Sequence, residues 1–320
     1  MKKFTSIICC CFCIFIQNTL SQNQYIDKDT LIVARDGTGD FRNIQDGINS
    51  IQATHTNPTV ILIKNGIYKE KIVLPTEING LSFIGEDKEK TIITYDDHAK
   101  IDNMGTFKTY TFYIQGNDIT FENLTIENNA AQLGQAVAVH IEGDRIIFRN
   151  CRFLGNQDTI YAGRENCRQY FVNCYIEGTT DFIFGPSICW FEACNIHCKK
   201  DSYITAASTP EQQAYGYIFN NCKITLESDV TKMHLGRPWR PYAMTLFMNS
   251  ELPWGILPEG WDNWRKEENE KTTRYMEYNN HGEGAKTAGR VAWSKKLSEK
   301  EASIYTLKNV MKGNDGWLPE

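Results

Sequence analysis

One short pattern recurs through the middle of the chain and constrains the fold more than any other feature. It reads ITFENLTI at 119–126, IIFRNCRF at 146–153, QYFVNCYI at 169–176, CWFEACNI at 189–196 and YIFNNCKI at 217–224. Phenylalanine stands at 121, 148, 171, 191 and 219, with spacings of 27, 23, 20 and 28 residues. Two positions after each phenylalanine comes Asn123, Asn150, Asn173, Ala193 or Asn221. Leu124, Cys151, Cys174, Cys194 or Cys222 follows directly.

Each unit alternates apolar and polar positions and is rich in aromatic and β-branched residues, as a short half-buried strand is. No unit can bury its own apolar face, so the units must stack on one another. Helical periodicity is nearly absent between them, which excludes a leucine-rich horseshoe or βαβ units. The expected fold is all-β, a parallel β-helix whose equivalent side chains lie about 4.8 Å apart on successive coils. Four cysteines at one repeat position then form a ladder of small buried side chains. The neighbouring asparagines are expected to satisfy backbone groups where the chain turns.

Upstream, TVILIKNGIYKEKIVL at 59–74, GLSFIGE at 80–86 and TIITYDD at 91–97 read as the first coils. FRNIQDGINSI at 41–51 places Ile44, Ile48 and Ile51 on one helical face, a short N-terminal helix suited to capping the open end of a solenoid. The charged segment 265–274 and the tail from 297 are expected as loops and a terminal helix along the outside.

The N-terminus, MKK followed by FTSIICCCFCIFI, has the basic start and short apolar stretch of a secretory signal, expected over residues 1–21. Export follows, to a periplasm or the medium, and no later segment is apolar enough for a stable membrane span in the mature form. Residues 22–320 are then expected as one β-helix domain. The formal charge of −5 becomes −7 when Lys2 and Lys3 leave, so the basic stripe that nucleic-acid binding needs is missing. Seven of the 11 cysteines remain, an odd set without the spacing of a zinc site.

Counting ten residues on from Phe148 and Phe171 reaches Asp158 and Asp181, so two carboxylates occupy one place on consecutive coils. Gln135 falls into the same column if the longer coil before it bulges, and Gln157 adjoins Asp158. Two stacked carboxylates in a partly dry groove raise one another's pKa, and a cation holding one of them divides their roles into acid and nucleophile. Arg237, in HLGRPWRPY at 234–242, is the candidate cation, and Trp239 could stack on a sugar ring. The count alone does not single these residues out, because Asp201 and Asp229 also fall ten after Phe191 and Phe219, and both read as turn residues. Arg237 before proline equally reads as a bend, Trp239 as core, and the two glutamines as a structural amide ladder.

At these residues the chain resembles the pectin methylesterases. The shared motifs are GQAVAVHIEGD at 134–144, GNQDTIYAG at 155–163, GTTDFIFG at 178–185 and HLGRPW at 234–239, within a likeness running from VARDGTGDFRNIQ at 33–45 to GRVAW at 289–293. The resemblance implies a right-handed β-helix and hydrolysis of methyl esters on pectin, a methyl-esterified homogalacturonan. It implies Asp181 as nucleophile, Asp158 as acid and then base, Gln157 and Gln135 as oxyanion donors, and Arg237 as the partner of Asp181. Thr106, Trp239 and Phe184 are implied to bind substrate, as are Gln135 and Arg237. No metal or organic cofactor has a task in this scheme, and a monomer suffices. Other pectin-active β-helix enzymes, a polygalacturonase or a pectate lyase, and a non-catalytic carbohydrate-binding β-helix are the rival readings, because a fold does not fix its chemistry.

Overall fold

A computed structural model of the chain describes residues 29–52 and 59–319. The expected signal segment, residues 1–21, lies outside the described residues. Three sheets, one of 11 strands and two of seven, run through the described part, and their registered strand pairs are parallel. One coil supplies Ile146–Arg149 to the first sheet, Arg152–Leu154 to the second and Ile160–Ala162 to the third. Each of these pairs with its counterparts one coil earlier and one later, which makes the parallel β-helix expected from the repeat.

The repeat phenylalanines are the inward-facing residues of the first sheet. Phe83 and Phe247 extend the column at either end, and successive rings from Phe83 through Phe247 stack with centroids 4.3 to 4.9 Å apart. A fully buried phenylalanine contributes about 1.5–3 kcal/mol of transfer free energy, so this column is a principal part of the core. The cysteines lie beside it. All seven described cysteines are free and buried, and the thiols of Cys174, Cys194 and Cys222 donate to the carbonyls of Phe148, Phe171 and Phe191 one coil earlier.

Between the first and second strands of a coil only two residues intervene, and the chain must bend sharply there. Asn123, Asn150, Asn173 and Asn221 do so at φ of 55°, 51°, 55° and 54°, the left-handed region that Asn tolerates best among residues with a side chain. Their amides bond sideways rather than to the turn backbone: Asn150 Nδ2 donates to Asn123 Oδ1 at 2.6 Å. The asparagines therefore serve the turn through their φ, not as the backbone partners expected from the sequence.

The stack begins one strand earlier than the sequence pattern indicated, because Thr30–Val33 pairs with Thr59–Ile63. The helix Ile44–Asn49 covers this end with Ile44 and Ile48 buried, and Ile51 is packed against the same core. The Glu70 carboxylate accepts from the free N–H groups of Ile44 and Gln45, at 3.0 and 3.1 Å, where a helix N-terminus favours negative charge. At the other end, helices Glu299–Ala302 and Leu307–Met311 follow the last strands and lie on the outer face of the first sheet, against Tyr170, Trp190, Ile218 and Leu246. No helix among the described residues is long and apolar enough to cross a membrane.

Candidate active site

The outward face of the third sheet carries the site. Ile160–Ala162 pairs with Ile183–Gly185 so that Ile160 meets Ile183, an offset of 23 residues, and the same offset separates Asp158 from Asp181. The Asp158 amide donates to the Thr180 carbonyl at 3.1 Å and the Asp181 amide to the Tyr203 carbonyl at 2.9 Å. Both aspartates have left-handed backbone, φ 68° and 50°, so one turn shape repeated on adjacent coils brings the two carboxyls together. Their exposures are only 7% and 5%.

Gln135 is not in the Asp158 column. It forms a parallel bridge with Gln157. The amides of Ala138 and Val139 both donate to the single carbonyl of Thr159, at 2.9 and 3.2 Å, so one extra residue is absorbed there as a bulge and the count shifts by one. The two glutamines are thus paired on adjacent coils, and the Gln157 side chain hydrogen-bonds Asp158. Asp201 is the turn residue expected, its carboxylate accepting from the amides of Thr231 and Lys232 at 2.7 and 2.9 Å. Asp229 is exposed.

The electrostatics divide the two acids. Burial, and then the charge of Asp181, push the Asp158 carboxyl well above the ordinary carboxylate range, with Arg237 and the Gln157 amide opposing weakly. Asp181 is also raised by burial, but the Arg237 guanidinium opposes this by gripping both oxygens, Nε to Oδ1 at 2.9 Å and Nη2 to Oδ2 at 2.6 Å. A two-pronged, charge-assisted pair of this kind fixes direction as well as charge. Asp181 thus loses its proton first, leaving a carboxylate beside a carboxylic acid.

From the acids an aromatic floor extends along the sheet. Tyr113, His140, Tyr161 and Phe184 are in register on successive strands, with neighbouring rings 4.2, 4.7 and 4.8 Å apart. Trp239 meets Phe184 edge-on at 5.8 Å, and the exposed ring of Phe107 leans over Tyr161 at 4.9 Å. Thr106 opens the single turn Thr106–Lys108 that carries Phe107, and Thr109 ties this turn down by donating to the Thr106 carbonyl and accepting from the Val137 amide. Asp158, Asp181, Gln157, Arg237, Phe184 and Trp239 are linked by these contacts, Gln135 is paired with Gln157, and Thr106 lies on the turn that carries Phe107.

Sequence reasoning missed Phe107, Tyr113, His140 and Tyr161. The signal for Tyr113, His140 and Tyr161 was an aromatic ring at the outward position of three successive third-sheet strands, and Phe107, on the turn Thr106–Lys108, had none. It also missed Asn128, which is buried. Its Nδ2 donates to the carbonyls of Asp97, Thr109 and Val137 at 2.9, 3.0 and 3.1 Å, binding the Phe107 loop to the Gln135 strand. Trp264 was missed too. It comes from a rim loop with no repeat and lies over the Arg237 guanidinium at 3.9 Å from its ring centre. Among the described residues no group of three or more His, Cys, Asp or Glu is placed to hold a metal ion.

This arrangement can be set beside known proteins. The family model described as Pectinesterase matches residues 30–314, which includes every residue of the site. The chain belongs to the pectinesterase family. Pectinesterase 31 of Arabidopsis thaliana is 39% identical over 284 residues, spanning 85% of this chain and 89% of that protein. Other curated relatives, named as joint pectinesterase and pectinesterase inhibitor proteins, are longer, and the chain spans 54% and 53% of two of them. The solved pectin methylesterase from carrot superposes with a TM-score of 0.85 at 32% identity, covering 89% of this chain and 93% of that one. A pectin methylesterase solved in complex with a hexasaccharide superposes at 0.77 with 28% identity, covering 90% of this chain and 98% of that one. The pectinesterase fold is a right-handed parallel β-helix, so the expected handedness holds as well.

Proposed function

We propose that the chain hydrolyses the methyl esters of galacturonate units in pectin, releasing methanol and free carboxylates, through an acyl-enzyme on Asp181. The observation that carries this reading is the unequal carboxyl pair beside two paired glutamines. A carboxylate oriented by Arg237 is a nucleophile whose lone pairs have a fixed direction. Asp181 attacks the ester carbonyl carbon, and the Gln135 and Gln157 amides donate to the oxygen that becomes negative. Asp158 gives its proton to the methoxy oxygen as the carbon–oxygen bond breaks, and methanol leaves.

The anhydride that remains is opened by water. Asp158, now ionised, accepts a proton from that water, and the bond from the acyl carbon to Asp181 breaks, restoring both groups. The aromatic floor from Tyr113 through Phe184 to Trp239 suits the apolar faces of sugar rings, which supports a polymeric substrate, with Thr106 on the turn beside it. The groove is complete within one chain, which supports a working monomer. The composition of residues 1–21 supports export with removal of that segment.

Two glutamines beside the acids fit an oxyanion better than a glycosidic oxygen, which weighs against chain cleavage. The test is to incubate the protein with highly methylated pectin and follow methanol and chain length together. Methanol without shortening is expected, and shorter chains without methanol would overturn the assignment in favour of a polygalacturonase or lyase.

A further inference from the structure

Arg237 is held by more than its carboxylate. Tyr203 follows Asp181 by one coil, its carbonyl accepting the Asp181 amide at 2.9 Å, and its ring centre lies 3.9 Å from the Arg237 guanidinium carbon. Trp264 lies at the same 3.9 Å. Two aromatic rings in van der Waals contact with a single guanidinium, whose Nε and Nη2 are spent on Asp181, leave that group little freedom to tilt.

The backbone adds a second observation. Trp264 and Arg265 have φ of 62° and 56°, and a bulky residue with positive φ is strained unless its surroundings hold it there. They are held. The Trp264 amide donates to Asp262 Oδ1 at 2.7 Å, buried Asn269 donates to the Asn263 carbonyl at 3.1 Å, and Asn263 donates to Glu270 at 2.8 Å. The turn brings Trp264 both against the small apolar cluster of Val137, Phe184 and Ala206 and onto the Arg237 guanidinium. Tyr203 is fixed too, its ring stacking with His234 at 5.1 Å and 21°.

We infer that Tyr203 and Trp264 are positioning residues for the ester hydrolysis, clamping Arg237 between two rings so that its fork keeps Asp181 aimed at the ester carbonyl. This rests on the proposal that Asp181 is the nucleophile. The groups charged or titratable around Asp181 are Asp158 on the preceding coil, Arg237, and Asp262 on the rim; Tyr203, His234 and the buried Tyr275 lie beyond. Arg237 opposes the rise in the Asp181 pKa. A loosened guanidinium therefore lets Asp181 rise further, and the acid limb of activity moves to higher pH.

The test compares Tyr203→Leu, Tyr203→Phe and Trp264→Leu with the parent protein on methylated pectin, measuring kcat, KM and the pH profile of kcat/KM. Misplacement of a reacting group by about 1 Å costs on the order of 10²-fold, so each leucine variant should lose about 10- to 100-fold in kcat with KM changed less than about threefold. The acid limb should shift upward in both, and Tyr203→Phe, which keeps the ring, should retain most of the parent rate. Parental kcat in the leucine variants, a change confined to KM, or a phenylalanine variant as impaired as the leucine one would overturn the inference. If Tyr203→Leu does not fold, Trp264→Leu on the rim decides by the same criteria. Failure of the parent to release methanol would instead strike at the proposed function.

Discussion

Arg237 meets Asp181 through two parallel hydrogen bonds of 2.9 and 2.6 Å, while Asp158, one coil earlier, has no such partner and is the more strongly raised acid. The inequality of two chemically identical side chains follows from one guanidinium reaching one of them. Several measurable consequences come from it and from the coils around it.

Activity should have an acid and an alkaline limb. On the acid side it falls as Asp181 takes up a proton, and Arg237→Ala should move that limb to higher pH because the opposing cation is gone. On the alkaline side it falls as Asp158 loses its proton, well above the ordinary carboxylate range. The check is a pH profile of kcat/KM, and an Arg237→Ala acid limb at or below the parental one would contradict the assignment of roles.

Asp158 should also cost stability. A carboxyl whose folded-state pKa is raised binds its proton more tightly in the folded chain, so stability falls as pH rises from the unfolded value through the folded one. Asp158→Asn keeps the shape without that linkage. It should raise Tm at neutral pH, narrow the difference in Tm between acid and neutral pH, and abolish methanol release; thermal melts across pH read the first two.

Removing one oxyanion donor typically costs ~10²-fold or more in turnover, and Gln157→Ala is expected to do so with Tm nearly unchanged, because its side chain lies at the groove surface. Steady-state kinetics beside a melt separates this from unfolding. A loss in stability matching the loss in rate would mark the glutamines as the structural amide ladder that remained open from the sequence.

Asn128→Ala should act on both. The buried Thr109 carbonyl and the half-buried Asp97 carbonyl lose their donor, while the Val137 carbonyl keeps the Thr111 amide, which should cost about 1–3 kcal/mol in denaturant unfolding. The loop bearing Thr106 and Phe107 also loses one of its ties to the Gln135 strand, keeping that from the Val137 amide to Thr109, so KM for long pectin should rise more than KM for short methylated oligomers.

Ala193 stands at φ 51° where the other repeats have asparagine. An ordinary residue in the left-handed region costs roughly 1–2 kcal/mol, and asparagine less. Ala193→Asn should therefore stabilise the protein by about 1 kcal/mol, visible as a higher denaturant midpoint at unchanged activity.

The residues that could be read from sequence are those that a stacked fold forces to repeat. Phe148 and Phe171 had to match because they touch, and the shared offset to Asp158 and Asp181 followed. The family motifs then separated those acids from Asp201. Thr30–Val33 was not legible as a strand because its first partner lies across the segment from 34 to 58, and four apolar-leaning residues carry no period of their own. Gln135 was misplaced by one position because a bulge at Ala138 leaves no mark on residue counts. Trp264 could not be found, since it comes from a rim loop that no repeat relates, and Tyr203, though one coil on from Asp181, gives no sign in the sequence of its contact with Arg237.

The central claim is that Asp181 performs the attack on a methyl ester. Methanol release from highly methylated pectin by Asp181→Asn, measured against the parent at the parent's optimal pH, tests it most directly. The loss expected for removing a nucleophile is on the order of 10⁴-fold or more, with the fold intact by circular dichroism. A correctly folded Asp181→Asn protein releasing methanol at near the parental rate would contradict it.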